Sequence, residues 1–345
     1  DQETDIISMV KGITKYAETV TDPKTIKYHL GKALYLANSG RKGPVWLDIP
    51  IDVQAADINP DDQESFNEVT LNDVGLNVTA KSEIINKIYT SLVNANKPVI
   101  LAGSGIRLAN AKNEFHDLLN ILKIPVVTSW TGHDLIAFDH PCYCGRGGSL
   151  GDRSGNFTVQ NSDLLLVIGS RLNIRQVSYN WENFAKNSFV VHVDIDAAEL
   201  IKPTYQADMK VNLDARDFII GIKEALESNN YASKIHSDWL NWSKDKLKKY
   251  PVLQERQIHS EMINPYNFIS KLFDHLEEDE IVACGDGTAC VVTPQVAKIK
   301  SNQKVFTNSG CASMGYGLPA AIGSAVAFPG KRVICLTGDG SIQMN

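Results

Sequence analysis

Apolar residues recur at helical spacing over residues 25–37, where Ile26, Leu30, Ala33, Leu34 and Ala37 share one side. Ser39-Gly40-Arg41-Lys42-Gly43-Pro44 stops that helix, and Val45-Trp46-Leu47-Asp48-Ile49-Pro50 reads as a short buried strand closing a domain. Residues 58–78 are polar, acidic and aperiodic, as in a linker. A second unit, 79–226, alternates periods. Residues 82–93 and 110–122 have the helical one; residues 97–102, 124–128, 163–169 and 190–196 are apolar runs of strand length. Residues 227–263 are polar and Lys-rich, and predict a helical linker. A third unit, 264–345, opens at Asn264-Pro265 and carries strands at 281–284, 304–306 and 333–336, with a Gly/Ala-rich helix over 312–327.

Apolar strands alternating with helices predict an α/β chain with parallel sheets covered on both faces. Ligands on such sheets sit beyond the carboxyl ends of the strands. Gly103-Ser104-Gly105, Gly169-Ser170-Arg171, Asp194-Ile195-Asp196, Gly285-Asp286-Gly287 and Gly338-Asp339-Gly340-Ser341 all fall at such ends. The last strand is followed by too few residues for a crossover helix, so the third unit is expected to be truncated.

Composition narrows the function. The 345 residues carry a net charge of -6 with mixed signs, which argues against nucleic-acid and anionic-membrane partners. No apolar run approaches a membrane span and no signal peptide opens the chain, so a cytoplasmic protein is expected. The six cysteines lack zinc spacing: Cys142-Tyr143-Cys144 has no second pair, and all six read as reduced thiols.

The chemistry-bearing signal is Leu336-Thr337-Gly338-Asp339-Gly340-Ser341 after a buried strand. Glycines let backbone amides approach a phosphate, and Asp339 offers a hard oxygen to Mg²⁺, which needs only one or two carboxylates beside phosphate and water. Alone, the same residues also suit an ordinary strand-to-turn connection. Upstream lie Gly285-Asp286-Gly287-Thr288 and Asn308-Ser309-Gly310-Cys311-Ala312-Ser313-Met314-Gly315-Tyr316-Gly317-Leu318-Pro319-Ala320-Ala321-Ile322-Gly323.

In this order and spacing, these motifs resemble the diphosphate-binding domain of thiamine-diphosphate enzymes, acetolactate synthase (acetohydroxyacid synthase) large-subunit type. The resemblance implies parallel-sheet three-layer domains of that enzyme type, with a Rossmann-like central domain. It makes residues 1–57, with Gln2-Glu3-Thr4, Ile13-Thr14-Lys15 and Gly43-Pro44-Val45, the end of a pyrimidine-binding domain. It implies thiamine diphosphate held by Gly287, Thr288, Ala289, Ser313, Met314, Gly338, Asp339, Gly340 and Ser341, with Asp339 on Mg²⁺ and Met314 beneath a bent cofactor. It implies FAD as a further candidate cofactor, on Arg41, Gly103, Ser104, Gly105, Thr128, Arg171, Arg175, Asp194, Ile195 and Asp208.

The implied activity is decarboxylation of a 2-oxo acid, pyruvate first, followed by ligation to a second carbonyl compound. The family's catalytic Glu and second metal ligand, an Asn, are expected outside this chain, so none of its residues is assigned as catalytic acid or base and the chain alone is expected to be inactive. The resemblance further implies a homodimer or tetramer, with a regulatory subunit as a candidate partner.

Departures bear on the flavin and the acceptor. The family's Gly-x-Arg-Phe-Asp-Asp-Arg reads here Gly169-Ser170-Arg171-Leu172-Asn173-Ile174-Arg175, keeping both Arg and neither acid. Ile51 stands for an expected Lys, and Thr288-Ala289 for Gln-His. A carboligase using a sugar or aldehyde acceptor therefore stays open, as does a non-catalytic nucleotide-binding module. A nicotinamide oxidoreductase on Gly103-Ser104-Gly105 and Asp194 lacks the third Gly of the dinucleotide fingerprint. His192 reads as a hydrogen-bonded core residue; His133 and His140 flank a loop, and Arg146 and Arg153 sit in a Gly-rich loop, facing either a ligand or solvent.

Overall fold

The computed structural model describes residues 4–67, 78–232, 236–259 and 261–345. Gln2, Glu3 and much of the expected 58–78 linker lie outside the described residues. The chain divides into two compact units, 1–77 and 78–345.

In the first unit, β1 (Ala17–Thr19) and β2 (Trp46–Asp48) pair in parallel, in the register Ala17 to Trp46. The helix Ile26–Asn38 lies where its period placed it. The stretch read as the start of a linker is docked on that helix: Gln63 Oε1 accepts the Lys27 N–H at 3.1 Å, and Phe66 packs edge-on against Tyr28. Arg41 is exposed in the turn after the helix.

The second unit holds two parallel sheets. Six strands, β3 (Pro98–Ala102), β4 (Val126–Thr128), β5 (Tyr143–Arg146), β6 (Leu164–Ile168), β7 (Phe189–Asp194) and β8 (Met209–Asn212), run in the order β5-β4-β3-β6-β7-β8. The first strand sits mid-sheet and the order reverses between β3 and β6, as in a dinucleotide-binding fold. Alternation along β3 serves both faces. Ile100 and Ala102 join the helices Val78–Asn94, Lys112–Leu122 and Ala215–Ser228 through Leu92, Phe115 and Phe218. Val99 and Leu101 face Val159 and Trp239. Each such buried side chain contributes about 1.5–3 kcal/mol, which is why these strands carry no polar alternation.

The helix Ser237–Lys249, expected as a linker, belongs to this body: Trp239 is buried, donates its indole N–H to Pro98 O at 3.0 Å, and stacks on Trp242. The smaller sheet has β9 (Ile281–Cys284) between β10 (Lys304–Thr307) and β11 (Val333–Leu336), all parallel. The helices Pro265–His275 and Thr288–Val296 cover one face through Phe273, Val292 and Val296. The helix Gly317–Ala327 packs on β9 and β11, starting later than its Gly/Ala composition suggested because residues 312–316 form turns.

Candidate functional site

The small sheet brings three glycine-bearing segments together at the carboxyl ends of β9 and β11. Thr337 is the meeting point. A Cβ on Gly285 would lie 2.8 Å from Thr337 Oγ1, and one on Gly317 would lie 3.0 Å from it. Only glycine permits that approach. Thr337 Oγ1 itself is buried without a hydrogen-bond partner. The turn after β9 then opens: Gly287 has φ +71° and clear space where a Cβ would be, and Gly338 after β11 is equally clear. Both expose backbone at the strand ends, beside Thr288 and Ala289 at the start of the helix Thr288–Val296.

Two contacts tie the 308–317 segment to the Gly338–Ser341 loop. The Gly315 N–H donates to Ser341 Oγ at 2.9 Å. Met314, half exposed, reaches the loop with its terminal methyl 3.5 Å from where a Gly340 Cβ would sit. Ser313 is exposed on the same segment, and Ser341 is buried beneath it. Asp339 is exposed and its Oδ1 accepts the Gly340 N–H at 2.8 Å. Open glycine backbone, a buried unpartnered hydroxyl and one exposed carboxylate fit a diphosphate with its Mg²⁺. Among the described residues no group of three or more His, Cys, Asp or Glu could hold a metal by itself, so diphosphate oxygens and water would complete the coordination.

On the central sheet, the loops after β3 and β6 press together. A Cβ on Gly103 would meet Gly169 O at 2.1 Å, and one on Gly105 would meet Gly169 Cα at 2.6 Å. The Gly103 and Gly105 N–H groups donate to Ile168 O and Gly169 O, both at 2.9 Å. These glycines are thus required by backbone packing, whatever else they bind. Ser104 Oγ accepts from Thr131 Oγ1 at 3.2 Å.

Beside them stand three buried polar atoms without partners: Thr128 Oγ1, Trp130 Nε1 and Gln176 Nε2. Such groups are costly unless a ligand or water meets them, so this edge fits a polar ligand. Arg171 is exposed and pairs with Glu199 at 3.3 Å. Arg175 is exposed in the short helix Ile174–Val177 and lies near Cys290, whose thiol is pushed up by burial and then by Asp286, with Arg175 opposing. Asp194 Oδ1 accepts the Asp196 N–H at 2.9 Å, with Ile195 exposed between them. Asp208 is the exception: its carboxylate accepts the Val190 N–H at 2.8 Å, at the amino end of β7. The fold therefore separates Asp208 from Gly103, Thr128 and Asp194. A cleft lined by Arg107, Thr131, Thr307 and Tyr316 lies between the segments that follow β3 and β4 and the end of β10.

Comparison with known families settles the affiliation. Residues 85–222 match the thiamine pyrophosphate enzyme central domain, and residues 285–345 match the thiamine pyrophosphate enzyme C-terminal TPP binding domain. The chain belongs to the thiamine pyrophosphate enzyme family. Over 346 residues it is 32% identical to the acetolactate synthase large subunit of Lactococcus lactis, covering 99% of this chain and 58% of that protein. It is 31% identical to the acetolactate synthase large subunit of Cyanidium caldarium, again over 58% of that protein. The acetolactate synthase isozyme 3 large subunit of Escherichia coli is 29% identical over all of this chain and 59% of its own length. The chain thus spans somewhat over half the length of these relatives.

Within this thiamine pyrophosphate enzyme, three residues escaped the reading of the sequence. Thr337 carried no signal beyond its place before Gly338. Gln176 drew no reading from the sequence. Arg146, whose sequence setting suits either ligand or solvent, is 4% exposed, and its guanidinium donates to Gln295 O and Ala297 O of the diphosphate-binding domain. Arg153 is exposed, with its guanidinium 4.5 Å over the Tyr250 ring. His192 donates its Nε2–H to Ser170 O from inside the sheet, at 2.8 Å, as a core residue does. No helix among the described residues is long and apolar enough to cross a membrane.

Proposed function

We propose that the protein carries out Mg²⁺- and thiamine-diphosphate-dependent decarboxylation of a 2-oxo acid, pyruvate first, with ligation to a second carbonyl compound. The convergence of the Gly285, Gly317 and Gly338 segments on Thr337 carries this reading. When bound, the cofactor supplies the nucleophile and the electron sink for loss of CO₂. The chain's own residues hold and orient it. Backbone at Gly287, Thr288, Ala289, Gly338 and Gly340 faces the diphosphate, and Asp339 takes one Mg²⁺ position. Ser341 fixes the Gly315 turn, so that Ser313 and the half-exposed Met314 support the ring system.

We infer a flavin nucleotide at the edge formed by Gly103, Ser104, Gly105, Thr128, Arg171, Arg175, Asp194 and Ile195, with Gln176 added and Asp208 left out; Arg41, of the expected set, belongs to the first compact unit. Asn173 and Ile174, where the family carries acids, favour a second reading in which the acceptor is a sugar or aldehyde. The relatives' designation as large subunits supports a regulatory subunit as partner of a cytoplasmic homodimer or tetramer.

The test is CO₂ release from pyruvate by the full protein, with thiamine diphosphate and Mg²⁺ each added or omitted. Release should need both, and Asp339→Asn should lower it by about a hundredfold at sub-saturating Mg²⁺, the scale on which loss of a placed charge misaligns a reaction. No release from pyruvate or from a panel of 2-oxo acids sinks the proposal.

A further inference from the structure

We propose that Arg146, in the central domain, is a positioning residue for the Gly285-Asp286-Gly287 turn, acting through the helix Thr288–Val296. The inference rests on reading that turn as a diphosphate cradle.

Arg146 reaches out of β5 into the neighbouring domain. Its Nη1 donates to Gln295 O at 2.8 Å and its Nη2 to Ala297 O. Gln295 lies in the last turn of the helix and Ala297 is its C-cap, where the helix's own N–H groups no longer reach. A guanidinium there also faces the negative end of the helix dipole. Pro294 inside this helix supplies no N–H, so the helix also lacks the internal bond to Cys290 O.

Three further bonds make the contact a clamp. Gln295 Nε2 donates to Leu150 O at 3.0 Å, from the same Gly-rich loop. Gln295 Oε1 accepts the Tyr266 hydroxyl at 2.5 Å. Phe138 N–H donates to Ile299 O at 2.8 Å just beyond the helix.

Arg146 is itself held. Its N–H donates to Asp152 Oδ2 at 2.9 Å, and the Asp152 carboxylate also takes the Gly155 N–H at 2.6 Å and the Ser154 hydroxyl at 2.8 Å. A Cβ on Gly155 would come within 2.6 Å of the Arg146 backbone, so the loop closes tightly on it. Burial pushes the Asp152 carboxyl up and the Arg146 charge pulls it back down.

A nine-residue helix is about 13 Å long, so whatever fixes its last turn aims its first. At that first turn stand Gly287, with its positive φ, and Thr288. Arg146 therefore sets where the open backbone of the cradle points, without touching what it binds.

The experiment measures thiamine diphosphate affinity of the full protein at saturating Mg²⁺, by tryptophan fluorescence, for wild type, Arg146→Ala, Arg146→Lys and Phe273→Leu. Phe273 packs in the same core cluster as Val296 and Ala297 but makes none of the clamp's hydrogen bonds, so it controls for lost packing and stability. Arg146→Ala should weaken binding at least about tenfold, equivalent to about 1.4 kcal/mol, with turnover at saturating cofactor changed far less. Arg146→Lys should fall between, and millimolar guanidinium should restore the alanine variant. Phe273→Leu should bind like wild type at a comparable drop in unfolding temperature. Should Arg146→Ala fail to fold, Arg146→Lys decides. Wild-type affinity in the Arg146 variants, or equal weakening by Phe273→Leu, overturns the positioning role. Absence of binding by wild type overturns the cradle reading, and the positioning role with it.

Discussion

The Gly315 N–H and the Ser341 hydroxyl, 26 positions apart in sequence, meet at 2.9 Å and join the two glycine-rich segments of the diphosphate-binding domain. Ser341 is buried, so its hydroxyl is spent on this bond, and Gly315 holds φ +89° in the turn that presents Met314. Ser341 thus fixes the 308–317 segment against the Gly338–Ser341 loop.

Ser341→Ala should leave the Gly315 N–H without its partner. The expected stability loss is about 1 kcal/mol, the usual net value of one such bond. Thiamine diphosphate should bind about fivefold more weakly, an equivalent free energy. Titration of the cofactor at fixed Mg²⁺ reads this directly. Unchanged affinity would show that the 308–317 segment keeps its place without Ser341.

Gly103 and Gly287 make a contrasting pair. An alanine at 103 would put its Cβ 2.1 Å from Gly169 O and 2.5 Å from Ser170 Cα, both backbone atoms that cannot swing away. Gly103→Ala should therefore cost about 3 kcal/mol or more and lower the unfolding midpoint of the central domain. Gly287→Ala meets open space but must hold φ +71° with ψ -136°, a strained backbone outside glycine that costs about 1–3 kcal/mol. Its larger effect should fall on cofactor affinity. Denaturant titrations of both variants check the order; a milder loss at 103 than at 287 would contradict it.

Legibility in the sequence followed chemical distinctiveness. β3, β6 and β7 were plain because strands buried on both faces read as unbroken apolar runs. β5 and β8 were not: β5 contains Gly145, and β8 alternates Lys210 and Asn212 with Val211 at the edge of the sheet. The Gly-Asp-Gly-Ser loop stood out because glycines suit a phosphate-binding backbone, and the 308–323 segment through its resemblance to the thiamine-diphosphate enzymes. The contacts among them were not, since Thr337 and Ser341 gain meaning only when three distant segments fold together. Arg146 was misleading for a related reason. A lone Arg in a Gly-rich loop looks solvated, and the carbonyls that bury it lie about 150 residues away. Asp208 erred the other way: an acid near a nucleotide edge in sequence proved to cap the opposite end of β7.

Acid should destabilise this chain through its buried histidines. The His133 ring is buried with Nδ1 2.5 Å from Trp130 O, so Nδ1 carries the proton and Nε2 stands buried without a partner. Burial, with Arg146 and Arg107 adding to it, pushes His133 down to about 3, and burial pushes His192 down to about 4. His116, His140 and His236 are pushed the same way by burial. Unfolded histidine titrates near 6.5, so above about pH 7 both states are neutral and stability is flat. Below that, the unfolded chain binds protons that the folded chain refuses, and stability falls as pH drops. Each refused proton contributes a slope of about 1.4 kcal/mol per pH unit. Urea unfolding at pH 7.5, 6 and 5 should show this decline, and His133→Asn should remove about one proton's worth of slope between pH 6 and 5, whatever it costs at pH 7.5. Identical slopes for variant and wild type would mean that His133 finds water or a partner for Nε2 and titrates like an exposed histidine.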